Sequence, residues 1–151
     1  MLNVVGPDRL FTAPLLTERL NSSMGNQMRL VGYSLAQSTY MPDDILDITL
    51  VWQSQNDASD YYHVFLHLLD VDGHLAAQSD GEPANWSRPT TGWLPGEFVS
   101  DQHTLKLPGD LPSGVYSLRT GLYNPETGER VVTSLQEDGS VLVAMIEIEV
   151  Q

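Results

Sequence analysis

Two histidines, His63 and His67, have the spacing of a metal-binding pair in a helix. At positions i and i+4 of a helix they would lie one turn apart and could ligate a single ion. The residues around them instead alternate as in a β-strand, where the two side chains share a face but stand about 13 Å apart at about 3.3 Å per residue. The sequence therefore predicts no metal site at this pair.

The segment Asp70-Val71-Asp72-Gly73 resembles the opening of a calcium-binding loop. It lacks the further oxygen ligands and the distal glutamate that an EF-hand needs. Asp-Gly is also a strong signal for a two-residue type I′ hairpin, because both residues tolerate positive φ. We therefore predict a hairpin turn at this segment.

The best candidate for ligand binding is the segment from Ser79 to Trp93, which shows no periodicity and is longer than a structural connection requires. Flat aromatic side chains beside polar groups suit stacking on the apolar face of a sugar. The candidate ligand-binding residues are Trp86, Trp93, Asp80, Glu82, Asn85 and Arg88. We favour a core position for Trp93, because large aromatic residues often close a core. Trp86 has polar neighbours and is expected to be exposed.

No catalytic signature is present in the sequence. There is no GxSxG elbow, no glycine-rich phosphate loop and no nucleotide fingerprint. Asp80 and Glu82 are the residue types that glycoside hydrolysis uses, but with 20 acidic residues such a pair arises by chance. We therefore predict no catalytic residues, no cofactor and no independent enzyme.

Asp101 and Arg130 are charged residues at positions where the pattern predicts partial burial. Asp101 shares the alternation of His103 and Leu105, and Arg130 follows the turn at 124–128. A partly buried charge needs a partner, since an unpaired one costs several kcal/mol. We predict a structural ion pair between Arg130 and Asp101, with Asp80 as the second choice, that fastens the long loop to the sheet.

These residues are set among short strands separated by turns. Between Pro89 and Arg130, glycine and proline recur every 8–12 residues or so, which is the spacing of strands in a sandwich or barrel. The predicted strands are 28–36, 45–53, 61–70, 74–78, 98–107, 115–123, 130–134 and 141–150. The fold class predicted is all-β, an antiparallel two-sheet immunoglobulin-like sandwich of roughly eight strands.

The pattern also predicts which residues face the core and how the chain divides. Leu118 and Ile146 are expected in the core, and alternation in the last strand also predicts burial of Leu142 and Val150. The 151 residues suit a single domain. We predict the sandwich over 28–151 and an irregular arm or linker over 1–27.

Charge and composition exclude several classes of function. The net charge is −13, with a single lysine, so a phosphate backbone would be repelled and nucleic acid is not an expected partner. The chain has no cysteine, which excludes disulfides and thiol chemistry. It contains neither a signal peptide nor a run of about 18 apolar residues, so we expect a soluble chain with no membrane span.

From Met28 onward, turn and core positions together form a recognisable pattern. Its residues are Leu30, Gly32, Tyr33, Leu50, Trp52, Phe65, Leu68, Gln78, Asp80, Pro83, Pro89, Thr90, Trp93, Pro95, Gly96, Glu97, Asp101, Leu107, Pro112, Gly114, Tyr116, Gly121, Leu122, Tyr123, Thr127, Gly128 and Arg130. In these positions the sequence resembles a β-sandwich module that follows the membrane region of bacterial glycosyltransferases of the dolichyl-phosphate-mannose-protein mannosyltransferase type.

The resemblance implies a non-catalytic, extracytoplasmic accessory domain of a cell-envelope glycosyltransferase, whose partner would be a glycan or the membrane part of the same polypeptide. A carbohydrate-binding module that uses loop aromatics is the alternative. A structural domain that pairs with a protein through a sheet edge is the third hypothesis.

Overall fold

A computed structural model of the chain describes residues 9–25, 28–55, 60–131 and 139–150. The elements in chain order are β1 (Glu18–Met24), β2 (Met28–Leu35), β3 (Thr39–Tyr40), β4 (Ile45–Ser54), β5 (His63–Leu69), β6 (Leu75–Gly81), α1 (Pro83–Trp86), a 3₁₀ turn (Thr90–Gly92), β7 (Phe98–Lys106), β8 (Gly114–Tyr123) and β9 (Val141–Ile148).

The strands form two sheets packed face to face. The first sheet has the order β1-β2-β4-β7, and the second has the order β3-β9-β8-β5-β6. Neighbouring strands run antiparallel, except that the two-residue β3 runs parallel to β9. The all-β two-sheet sandwich predicted from the sequence is confirmed, with nine strands within the described ranges.

Part of the predicted irregular arm is a strand. β1 pairs with β2 from Glu18 opposite Tyr33 to Met24 opposite Met28. β1 is an edge strand, and its sequence, ERLNSSM, is mostly polar. The alternation of apolar and polar residues that signals a strand is therefore weak here. The prediction of irregular structure is therefore wrong for 18–24.

Gly32 in β2 permits this pairing. A Cβ at Gly32 would lie 2.3 Å from the carbonyl oxygen of Glu18, and the register with β4 shifts between Leu30 and Gly32. A glycine within a strand usually marks a bulge or a close backbone approach, and Gly32 has both.

The predicted long loop is shorter than expected. β6 continues to Gly81, which pairs with Val64 of β5, so 79–81 is strand. The remaining connection to β7 contains α1 and the 3₁₀ turn.

The core lies between the two sheets. Val64, Leu66 and Leu68 point inward from β5 and are fully buried, as their alternation predicts. Leu118 and Ile146 are also fully buried, which confirms their predicted positions.

β9 departs from the predicted alternation. The register between β8 and β9 shifts between Leu118 and Arg119 of β8. At the start of β9 the buried residues are consequently Val141 and Val143. Leu142 is 41% exposed and Val150 is 54% exposed. The predicted burial of Leu142 and Val150 is therefore wrong.

Most of the predicted strand 130–134 lies outside the described residues. Arg130, which is described, forms an isolated bridge with Tyr123. In the part of the chain that the structure describes, no helix has the length and apolar character to cross a membrane.

Candidate functional site

The outer face of the second sheet carries a row of aromatic side chains. Because side chains alternate along a strand, the inward Val64 and Leu66 of β5 leave His63 and Phe65 on the outer face. Tyr123 of β8 lies opposite His63. The segment before β5 adds Tyr61.

His63 is the centre of this aromatic cluster. Its Nδ1 lies 3.3 Å from the Tyr123 hydroxyl, and its Nε2 lies 3.2 Å from the Tyr61 hydroxyl. Its ring also meets Trp86 edge to face, with ring centroids 4.9 Å apart. Four rings from three separate segments thus form one cluster, which we call the aromatic face (Tyr61, His63, Trp86 and Tyr123).

Two glycines leave room for the rings. A Cβ at Gly81 would lie 2.9 Å from three atoms of the Trp86 indole. A Cβ at Gly121 would lie 2.6 Å from the Phe65 ring and 2.4 Å from the Gly139 carbonyl oxygen. Trp86 and Phe65 can therefore lie directly against the sheet backbone.

Trp86 is presented by the short helix α1, and 60% of its surface is exposed. The backbone at Ala84 (φ 57°) and Trp86 (φ 67°) is in the left-handed region, which is unfavourable for residues other than glycine. Such a conformation persists where the surrounding structure enforces it, and it is frequent at ligand-binding sites.

The tether that holds α1 is the buried carboxylate of Asp101 on β7. Its Oδ1 accepts a hydrogen bond of 2.7 Å from the Ala84 backbone N–H. Its Oδ2 accepts from the indole N–H of Trp52 at 3.2 Å and lies 2.7 Å from His103 Nε2. His103 Nδ1 in turn lies 3.0 Å from the Ser79 hydroxyl. Asp101 therefore links α1 to both sheets.

This arrangement corrects the predicted ion pair. Asp101 is paired with His103, and the ion pairs among the described residues do not include Asp101 with Arg130. Arg130 lies on the opposite side of the second sheet, above Phe65. The predicted fastening of the loop to the sheet does occur, through the backbone N–H of Ala84 rather than through Arg130.

A second buried carboxylate, Glu97, stabilises the other end of the connection between β6 and β7. Its Oε2 lies 2.5 Å from the Arg88 guanidinium, and its Oε1 lies 2.7 Å from that of Arg9. The Leu94 N–H also donates to Oε1. Arg88 is 14% exposed and points to Glu97, so its predicted place among the ligand contacts is corrected to a structural one.

A groove runs beside the aromatic face. Its volume is about 230 Å³, and its lining residues are Phe65, His67, Asp80, Tyr123, Gly128 and Arg130. The Arg130 guanidinium carbon lies 4.2 Å from the centre of the Phe65 ring, a cation–π geometry. Asp80 Oδ1 lies 3.7 Å from His67 Nε2. The groove thus combines a cation, a carboxylate and aromatic surface.

A small polar pocket of about 40 Å³ is lined in part by Trp86. It is lined by Ser79, Asp80, Gly81, Glu82, Trp86, Asp101, Gln102 and His103. Three acidic residues and one tryptophan therefore line the same small polar pocket.

The structure brings three of the predicted ligand-binding residues together. Trp86, Asp80 and Glu82 line the same pocket. Trp93 is 2% exposed and donates its indole N–H to the Arg88 carbonyl oxygen, which agrees with the favoured core position. The side chain of Asn85 lies outside the described part of the chain.

Sequence reasoning missed Tyr61, His63 and Tyr123. The signal was present, because the outward positions of 61–67 are Tyr, His, Phe and His, whereas the outward positions of a solvated strand are usually charged or small. A run of aromatic residues on the solvent side is the kind of exposed apolar surface that marks a binding site.

Carboxylates affect the ionisation of the tyrosines at this site. Burial raises the pKa of Tyr123, and the negative charge of Asp80 raises that pKa further. Burial, together with the hydrogen bond to Glu82 and the charge of Glu82, raises the pKa of Tyr61. Both hydroxyls therefore stay protonated at neutral pH and can donate or accept hydrogen bonds.

The strongest metal-ligand geometry in the described ranges is at the hairpin after β5. Ligand atoms of Asp70, Asp72 and His74 lie within 4.8 Å of one another. Asp70 Oδ1 already accepts hydrogen bonds from the backbone N–H groups of Asp72 and His74, and Gly73 has a φ of 84°. These contacts form the predicted hairpin turn, but it is not the expected two-residue type I′ turn, because Gly73 has a positive φ and Asp72 does not.

Comparisons with known proteins identify the fold but no family. No family model matches the chain, and no curated protein matches it. The C-terminal domain of wzt is similar in structure, with a TM-score of 0.61 and 16% identity over 85% of this chain and 77% of that one.

Two further solved structures are less similar. A Niemann-Pick type C2 protein from the Japanese carpenter ant has a TM-score of 0.52 and 7% identity, over 89% of this chain and all of that one. The alkylpurine DNA glycosylase AlkC of Pseudomonas fluorescens has a TM-score of 0.51 and 12% identity, over 83% of this chain and 31% of that one. At these identities the likeness extends to the β-sandwich fold alone.

Proposed function

We propose that this domain is a carbohydrate-binding module whose ligand stacks on Trp86. The observation that carries the proposal is a half-exposed indole that is held rigidly beside three other aromatic rings and two carboxylates on one sheet face. The proposed activity is binding, without catalysis.

The geometry suits a sugar for two reasons. Sugar rings have an apolar face that packs against an indole, and Trp86 is 60% exposed. Sugar rings also carry hydroxyl groups at their edges, which need hydrogen-bond acceptors and donors placed at fixed positions. Asp80, Glu82 and the Tyr123 hydroxyl are in reach of a ligand that covers Trp86.

Rigidity adds to this suitability. The Asp101 carboxylate fixes α1 through Ala84, and Gly81 lets the indole rest on the sheet. An aromatic side chain that is already held in place loses little conformational entropy when a ligand binds.

The glycosyltransferase parent and the extracytoplasmic location remain predictions from the sequence resemblance. If such a parent exists, the module would raise the local concentration of glycan near the transfer site. The full reading frame of the gene tests this point.

The binding proposal is tested by a glycan array followed by calorimetry on the best ligand. Trp86→Ala is expected to weaken binding by about tenfold or more. Phe11→Ala is the matched control, because Phe11 is 55% exposed and is adjacent to Leu10, which bridges to Phe98 on the other sheet. Absence of glycan binding, or equal loss in both variants, would overturn the proposal.

A further inference from the structure

We infer that the ligand of this face is an oligosaccharide of neutral sugars, one unit of which stacks on Trp86 while the next occupies the groove between Asp80 and Arg130. The inference rests on the proposed carbohydrate binding and adds the length and the charge class of the ligand. It follows from the continuity of the groove with the aromatic face, from the volume of the groove and from the two opposite charges beside it.

The groove continues the aromatic face along β5. His63, Phe65 and His67 are successive outward residues of this strand, so each lies about 7 Å beyond the one before it. His63 contacts Trp86, whereas Phe65 and His67 line the groove. Tyr123 belongs to both, since it lies opposite His63 and also lines the groove. A saccharide that covers Trp86 and extends by one unit along β5 therefore reaches the groove.

The groove has room for one sugar ring. Its volume of about 230 Å³ is below the 300–1,000 Å³ or so of pockets that enclose a drug-sized ligand. A longer saccharide therefore does not fit in the groove alone, and its neighbouring unit needs a second surface. Trp86, which is 60% exposed, supplies that surface.

The polar groups of the groove suit the hydroxyl groups of a neutral sugar. Asp80 lies opposite Phe65 on β6, and Arg130 covers Phe65 from the side of β8. A guanidinium donates hydrogen bonds in a fixed plane, a carboxylate accepts them, and a sugar hydroxyl does both. Because the charges of Asp80 and Arg130 are opposite, the groove favours neither an acidic nor a basic sugar.

The backbone holds Arg130 in this position before a ligand arrives. Arg130 bridges to Tyr123, and a Cβ at Gly139 would lie 2.8 Å from the Arg130 Cβ. Gly121, opposite Phe65 on β8, has no side chain to separate the ring from the guanidinium. A donor that is already fixed loses little conformational entropy on binding.

Calorimetry of the wild-type chain with oligosaccharides of increasing length tests the inference at neutral pH. The probes are glucose, cellobiose and cellotriose, and mannose, mannobiose and mannotriose, all of which are neutral. We expect the disaccharide of at least one series to bind about tenfold or more tightly than its single sugar, because the second unit adds contacts without a second loss of translational freedom.

Equal affinities of the single sugars and their oligomers would overturn the inference, and so would a failure of both series to bind. Tighter binding of dimers of galacturonic acid or of glucosamine than of both neutral disaccharides would overturn the charge class. Binding on the glycan array without any dependence on length overturns this inference alone, whereas absence of array binding overturns the proposed function as well.

Arg130→Gln should lower the ratio of disaccharide to single-sugar affinity towards one, because the charge and the planar set of donors are lost. Arg130→Lys keeps the charge without the plane and should lower the same ratio. Arg19→Gln is the matched control, since Arg19 is an exposed arginine on the edge strand of the other sheet, and it should keep the wild-type ratio. A wild-type ratio in both Arg130 variants would show that the second unit lies outside the groove.

Discussion

At the scale of single residues, the chain depends on two fully buried carboxylates, Asp101 and Glu97. Both hold the connection between β6 and β7, which presents Trp86. A buried charge is tolerated where several donors surround it, and each of these carboxylates has three.

Replacing Asp101 should therefore be costly. We expect Asp101→Asn to lower the free energy of unfolding by about 3–5 kcal/mol, because His103, Trp52 and the Ala84 N–H lose their shared charged acceptor. Urea unfolding measures the change, with the exposed Asp72→Asn as control at under about 0.5 kcal/mol. A loss below about 1 kcal/mol would show that the network does not tether α1.

Glu97 should make stability depend on pH on the acid side. Burial alone would raise the pKa of Glu97, but the Leu94 N–H and the guanidinium groups of Arg88 and Arg9 outweigh burial and hold that pKa below its ordinary value of 4.5. A lowered folded-state pKa means that the stabilisation is present above pH 4.5 and is lost as the pH falls through the folded-state pKa.

The urea midpoint of unfolding should therefore decline less steeply in Glu97→Gln than in the wild type as the pH falls below 4.5, the ordinary pKa of a glutamate. The variant will be less stable at neutral pH, so the comparison concerns the slope and not the absolute midpoint. Parallel slopes in the two proteins would contradict the assignment.

At the scale of the elements, Gly121 in β8 leaves the space that the Phe65 ring needs to pack against the sheet. Gly121→Ala should cost about 1–3 kcal/mol, because its methyl group would lie 2.6 Å from Phe65 and 2.4 Å from the Gly139 carbonyl oxygen. Gly92→Ala is the control, since nothing lies within 4 Å of the added carbon. Thermal unfolding of both variants measures the difference, and equal effects would show that the sheet accommodates the methyl group.

β9 offers a matched pair of apolar residues on the two sides of its register shift. Ile146→Ala should cost about 2–5 kcal/mol because Ile146 is fully buried, whereas Leu142→Ala should cost far less because Leu142 is 41% exposed. Chemical denaturation tests the pair. Similar losses would mean that Leu142 faces the core, as simple alternation predicts.

At the scale of the whole molecule, the charge of −13 opposes the compact state. Raising the salt concentration from about 10 to about 150 mM shortens the Debye length from about 30 to about 8 Å, which screens this repulsion. We therefore expect Tm to rise over this range in a thermal melt. A fall in Tm would show that the Glu97 ion pairs outweigh the general repulsion.

The sequence by itself determined the inward faces of most strands and the turns between them. Val64, Leu66 and Leu118 could be assigned to the core because a strand alternates with period two. The presence of a hairpin turn after β5 could be predicted from Asp72-Gly73, although its type could not, since only Gly73 has a positive φ. These are local properties, which are encoded within a few neighbouring residues.

Tertiary structure decided the rest. The edge strand β1 forms because β2 offers it a partner. Leu142 is exposed because a bulge in the pairing of β9 with β8 reverses the alternation. Asp101 pairs with His103 because the sandwich brings donors around its carboxylate. Trp86 meets His63 across 23 positions of sequence because α1 folds back over Gly81. Contacts of this kind depend on which surfaces the packing brings together, and residue spacing along the chain does not specify them.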